Sequence, residues 1–115
     1  MVMAPRLHLK IALNDDVLLG PGKAELLSLI VETGSISAAA KAMGMSYRRA
    51  WLLVDELNRA FKSPVVETAK GGRGGGGHAT LTPLGTAVMK RYGAIMAKTE
   101  KAIAGDLKAL AAELR

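Results

Sequence analysis

Apolar residues recur along this chain with two different periods, and the switches between them mark its elements. From Arg6 to Leu13 the pattern alternates, with Leu7, Leu9, Ile11 and Leu13 on one side and His8, Lys10 and Ala12 on the other. A period of two predicts a half-buried strand. Asn14-Asp15-Asp16 is a turn signal, and Val17-Leu18-Leu19 is expected to pair back, closing a hairpin over 6–19. Beyond Gly20 the period lengthens. Pro21 suits a first helical turn, and Leu26, Leu27, Leu29, Ile30 and Val31 predict an apolar scaffold helix over 21–33, ended by Gly34.

Two further helices follow, separated by a tight corner. Ser35 is an N-cap candidate for a short alanine-rich helix over 36–43, and Ala38, Ala39 and Ala40 allow close packing. Gly44 supplies the backbone freedom of the corner. Ser46 caps the next helix, expected over 46–61, where Ala50, Leu53, Val54, Leu57 and Phe61 recur at helical spacing. Tyr47, Arg48 and Arg49 crowd its first turn. Positive charge there opposes the helix dipole, whereas an anionic partner would offset that cost. A helix-turn-helix presents these N-terminal residues of its second helix to DNA base edges. Trp51 lies either in the core or toward the groove, and core support is the favoured reading. Asp55-Glu56 falls on the polar side and reads as a solvated face that repels wrong DNA registers.

After Ser63-Pro64 come two short β-prone runs, Val65 to Thr68 and His78 to Leu81, around AKGGRGGGG. They predict a hairpin wing over 65–81 whose Lys70, Arg73 and His78 would meet a DNA backbone or minor groove. A plain flexible linker is the competing reading of the glycines, and a dinucleotide loop is excluded because a strand follows rather than a helix. GPGK at 20–23 lacks the spacing of a phosphate loop. Thr82-Pro83 then opens a last helix to residue 115. Its stripe, Leu84, Val88, Tyr92, Ile95, Ile103, Leu107, Leu110 and Leu114, has the steps of an a/d seam. So long a helix exceeds what one small core can cover, which points to the same helix of a second copy, the competing reading being a helix partly packed on its own domain and partly frayed.

Composition narrows the function. Half of the 115 residues are hydrophobic and 3% aromatic, so the core is aliphatic. No cysteine is present, which excludes disulfides and thiolate metal sites and suits a cytoplasmic location. No metal site is expected, His8 reading as a surface residue. No stretch suits a membrane span or secretory signal. Of the net charge of +6, residues 46–91 carry +5, with eight Lys and Arg against three acids. A positive field local to the region of the corner and wing fits nucleic-acid binding and equally a solvated basic face kept for solubility, and the motifs decide between them. An enzyme is not expected, because the two histidines stand far apart and no carboxylates accompany them.

GSISAAAKAMGMSYRRAW together with GGRGGGG before LTPLG resembles the N-terminal DNA-binding domain of the ModE family, molybdate-responsive regulators with a winged helix related to the LysR type. The likeness spans nearly the whole chain. It implies a mainly α fold with small β, namely a winged helix-turn-helix with an N-terminal β-hairpin over 1–82 and a long C-terminal dimerisation helix over 83–115. It implies a homodimer on palindromic double-stranded DNA. Carried over by position, Ser46, Tyr47, Arg48 and Arg49 become recognition contacts and Lys70, Arg73 and the wing glycines backbone contacts. Ser35, Ser37 and His78 complete the candidate DNA-binding set. ModE proteins carry oxyanion-binding modules after the long helix, and this sequence stops at Arg115, so no cofactor is expected within it and its effector is open. The expected function is sequence-specific transcription regulation linked to molybdate transport or metabolism. The competing expectation is a winged helix used only for protein assembly.

Overall fold

The computed structural model describes residues 4–69 and 77–115. Its first element is a minimal hairpin, β1 (Ile11–Ala12) and β2 (Leu18–Leu19), antiparallel with Ile11 opposite Leu19. The Asn14 side chain makes the turn, its Oδ1 accepting from the Asp16 and Val17 amides at 2.9 Å. The strand expected over 6–13 is therefore mostly extended chain without a ladder. Its alternation is real, since Leu7 and Leu9 are half-buried while His8 and Lys10 are exposed. What is missing is a partner strand longer than two residues.

α1 (Pro21–Thr33) ends at Gly34, whose φ of 73° is left-handed and whose amide donates to the Ile30 carbonyl at 2.8 Å. α2 (Ile36–Met43) is capped by Ser35, whose Oγ accepts from the Ala38 amide at 3.0 Å. Gly44, with φ 69°, turns the chain into α3 (Tyr47–Ala60). There Ser46 Oγ accepts from the Arg49 amide at 3.0 Å. Ala39, Ala40 and Ala50 are buried, and their small side chains bring α2 close to its neighbours. Phe61, expected inside α3, is instead its C-cap.

The wing stem is β3 (Val66–Ala69) and β4 (His78–Leu81), antiparallel with Val66 opposite Leu81 and Ala69 opposite His78. It is docked rather than free. The Ala79 amide donates to the Gly34 carbonyl at 2.8 Å, tying β4 to the end of α1. α4 (Pro83–Ala112) is capped by Thr82, whose Oγ1 accepts from the Gly85 amide at 3.0 Å and donates to the Pro64 carbonyl at 2.7 Å. At ~1.5 Å per residue its 30 residues run about 45 Å. The molecule measures 56 × 34 × 23 Å.

One aliphatic core unites these elements, with Leu26, Leu27, Ile30, Val54, Leu57 and Val65 fully buried at its centre. Each such side chain contributes roughly 1.5–3 kcal/mol of hydrophobic stabilisation. Val88 and Tyr92 belong to this core, and Leu84 is packed against it. That corrects the expected dimer seam, because its first three members already have intramolecular partners. The stripe without a core beneath it begins further along α4.

Candidate nucleic-acid interface

The exposed side of α3 carries the candidate contact residues of its first turn. Ala50, Leu53, Val54 and Leu57 bury one face, so helical spacing turns Arg48, Trp51, Leu52, Asp55 and Arg59 outward. Tyr47 and Arg49 flank them at the first turn, both exposed. The corner holding that turn is closed by backbone bonds from the Gly44 amide to Lys41 and the Met45 amide to Ala40, at 3.1 and 3.0 Å. Position and direction of the α3 tip are thus set by α2, which is buried through Ile36, Ala39 and Ala40.

Charge on this face is arranged in one sense. The first turn of α3 contains no acid. Asp55 is engaged by Arg59 at 3.1 Å, one turn along the helix. Glu56 is engaged by Lys23 of α1 at 3.1 Å. Asp55 and Glu56 are therefore ion-paired and half-buried, not the freely solvated pair expected, and Glu56 also clamps α1 to α3. Arg48 and Arg49 form no salt bridge among the described residues. Their guanidinium groups, planar forks with several donors, remain open to phosphate or a guanine edge.

Trp51 departs from its expected place. It is 36% exposed, and its indole Nε1 donates to the Tyr47 hydroxyl at 2.5 Å. Position 51 lies beyond the buried stripe, so the ring stands on the outer face and gives no core support. Ser35 and Ser46 act first as helix caps, and Ser37 is exposed on α2. His78 is exposed at the start of β4, opposite Ala69 at the loop end of the hairpin. Lys70 and Arg73 lie outside the described residues.

Asn58 is a positioning residue absent from the sequence expectations. Its Oδ1 accepts from the Val65 and Val66 amides at 2.8 and 3.1 Å, and its Nδ2 donates to the Val66 carbonyl at 3.3 Å. It joins the last turn of α3 to the start of the wing. A lone polar residue near a helix end carries no periodic signal, so only the folded chain reveals it. Gly85 is a second such residue. A Cβ there would lie 2.0 Å from the Val65 carbonyl oxygen, so only glycine lets α4 approach the chain entering β3.

Further along, Ile95, Ile103 and Leu107 are half-buried, and Leu110 and Leu114 are 60% and 54% exposed. An apolar groove between β1, β2, Phe61 and α4 lies beside the start of this stripe, with Ile11, Leu13 and Ile95 on its walls. Among the described residues no cluster of His, Asp and Glu is able to hold a metal, and no helix is long and apolar enough to cross a membrane.

A capped helix pair with an exposed basic tip, followed by a docked β-hairpin, defines a winged helix-turn-helix. The chain belongs to the bacterial regulatory helix-turn-helix proteins of the lysR family, whose pattern matches residues 23–86. That family consists of regulators and not of enzymes. Relatives include the molybdenum-pterin-binding protein MopB of Rhodobacter capsulatus, 45% identical over 92 residues that make up 80% of this chain and 34% of MopB. MopA of the same organism is 39% identical over 84 residues, 73% of this chain and 31% of MopA. The DNA-binding transcriptional dual regulator ModE of Escherichia coli K12 is 36% identical over 100 residues, 87% of this chain and 38% of ModE. The chain thus spans about a third of the length of these curated relatives.

Proposed function

We propose that this chain is a sequence-specific DNA-binding transcription regulator that acts in the cytoplasm and serves the molybdenum economy named in its relatives. The observation that carries this reading is the α3 tip. Two arginines stand there without acidic partners among the described residues, while the nearby acids are paired away. An anionic polymer relieves their conflict with the helix dipole. α3 enters the major groove, Arg48 and Arg49 meet guanine or phosphate, and the capped N-termini at Ser35 and Ser46 receive phosphates. Lys70, Arg73 and His78 of the wing add backbone affinity.

The chain works as a homodimer. Support comes from the stripe Ile95, Ile103, Leu107 and Leu110, which is only partly covered in one copy, Leu110 being 60% exposed. Two such helices packed together present two recognition helices to a palindromic site.

Selection of bound sequences from random duplex DNA, followed by binding titrations over a salt series, tests the proposal. A palindromic consensus and an affinity falling steeply between about 50 and 200 mM salt are expected. Absence of enrichment together with salt-independent behaviour would leave the assembly reading standing in its place.

A further inference from the structure

We propose that the Tyr47–Trp51 pair and Leu52, on either side of Arg48, give α3 apolar surface that recognises thymine through its 5-methyl group in the major groove. The proposal rests on the DNA-binding reading above and specifies what that site reads besides guanine. Tyr47, Trp51 and Leu52 are 54%, 36% and 49% exposed, Trp51 and Leu52 on the outer side of α3 and the Tyr47 ring on its flank against Trp51. The chain has only four aromatic residues. Tyr92 and Phe61 pack in or against the core, while the other two are on the helix that carries Arg48 and Arg49.

Chemistry narrows what these groups can recognise. Indole has one donor, Nε1–H, and it is already given to the Tyr47 hydroxyl at 2.5 Å. The Trp51 ring therefore has no hydrogen bond left for a base edge and offers only apolar surface. The bond also holds the two rings together, which lowers the ordering cost of meeting a partner. Leu52 lies one turn from Arg48, and the Tyr47–Trp51 pair lies on the other side of that arginine, so apolar groups flank the cation on both sides. In the major groove each base pair shows donors and acceptors, and thymine alone adds a methyl group. A basic flank beside apolar surface matches guanine followed closely by thymine. A protein partner would have no use for the adjacent Arg48 and Arg49, which form no salt bridge among the described residues, unless it were acidic.

The test uses the full chain and the duplex selected from random DNA. Thymidine is replaced by deoxyuridine position by position, which removes the methyl and nothing else. Wild type is expected to lose roughly 4-fold in affinity per contacted methyl, the scale of one buried CH2 group. In Trp51→Ala or Leu52→Ala the same replacement should change affinity by less than about 2-fold, with an unaltered salt slope. Exposed positions make unfolding of these variants avoidable, and circular dichroism checks it. Equal affinity of wild type for every thymidine and deoxyuridine duplex overturns the proposal. So does a methyl effect that persists in both variants. Failure to bind any duplex at low salt overturns the DNA-binding reading itself, and this inference with it.

Discussion

The Tyr92 hydroxyl donates to the Leu9 carbonyl oxygen at 2.7 Å, across 83 positions of sequence. It fastens the extended N-terminal segment, which has no strand ladder of its own, onto α4. Burial raises the Tyr92 pKa above its ordinary value, because the phenolate would be poorly solvated. Tyr92→Phe should destabilise the fold by about 1 kcal/mol in urea titrations, the usual net value of one such bond. The folded pKa lies above the unfolded one, so the contribution is complete below about pH 10 and is lost as pH rises through the folded value. Wild-type stability should therefore fall more steeply above about pH 10 than that of Tyr92→Phe.

Gly85 and Gly93 are expected to answer the same substitution with opposite signs. At Gly85 an added Cβ meets the Val65 backbone, whereas at Gly93 nothing lies within 4 Å. Gly85→Ala should cost about 1–3 kcal/mol, because a backbone atom has to move. Gly93→Ala should stabilise by up to about 1 kcal/mol, the helix propensity difference. Thermal melts of the two variants decide the matter, and equal behaviour would contradict the close approach of α4 to Val65.

Asn58→Ala removes both partners of the Val66 contacts and the cap on the Val65 amide. Loss of around 2–3 kcal/mol is expected, since half-buried backbone groups are left without partners. Asn58→Asp keeps the acceptor and loses the donor, so it should recover part of that stability. Hydrogen exchange at the Val65 and Val66 amides gives a direct reading, with faster exchange expected in Asn58→Ala.

Arg48 and Arg49 differ in where helical spacing puts them. Arg48 is near the middle of the outer face of α3, and Arg49 is on its flank. Arg48→Ala should relax preference at a guanine position by about 1–3 kcal/mol. Arg49→Ala should weaken binding to all sequences and lower the salt slope by about one phosphate contact. Anisotropy titrations with specific and scrambled duplexes separate the two effects. Identical losses on both duplexes for both variants would remove base readout from Arg48.

Along α4 the position of a charge should determine its effect on assembly. Leu110→Asp places a carboxylate on the stripe that one copy leaves open, where the leucine is 60% exposed. Sedimentation should show a shift to monomer with little change in helix content. Val88→Asp would bury a charge in the core and should unfold the protein instead. A Leu110→Asp protein with unchanged mass in solution would argue against dimerisation through this stretch.

Caps, periods and turn residues were legible along the chain because each acts within a few residues. Ser35, Gly34, Ser46, Gly44 and Thr82 mark helix ends by local bonds and backbone angles, and the aliphatic stripes of α1 and α3 announce which faces are buried. Concentration of positive charge around the corner and wing is likewise a property of sequence alone. Whether a stripe is covered by its own domain is decided by distance in space. The fold therefore took Val88 and Tyr92 from the apparent seam, moved Trp51 outside against Tyr47, and paired Asp55 and Glu56. Asn58, Gly85 and the Leu9 carbonyl acquired their roles only when segments remote in sequence met, because periodicity records which face of an element is buried and carries no information about the atom it will face.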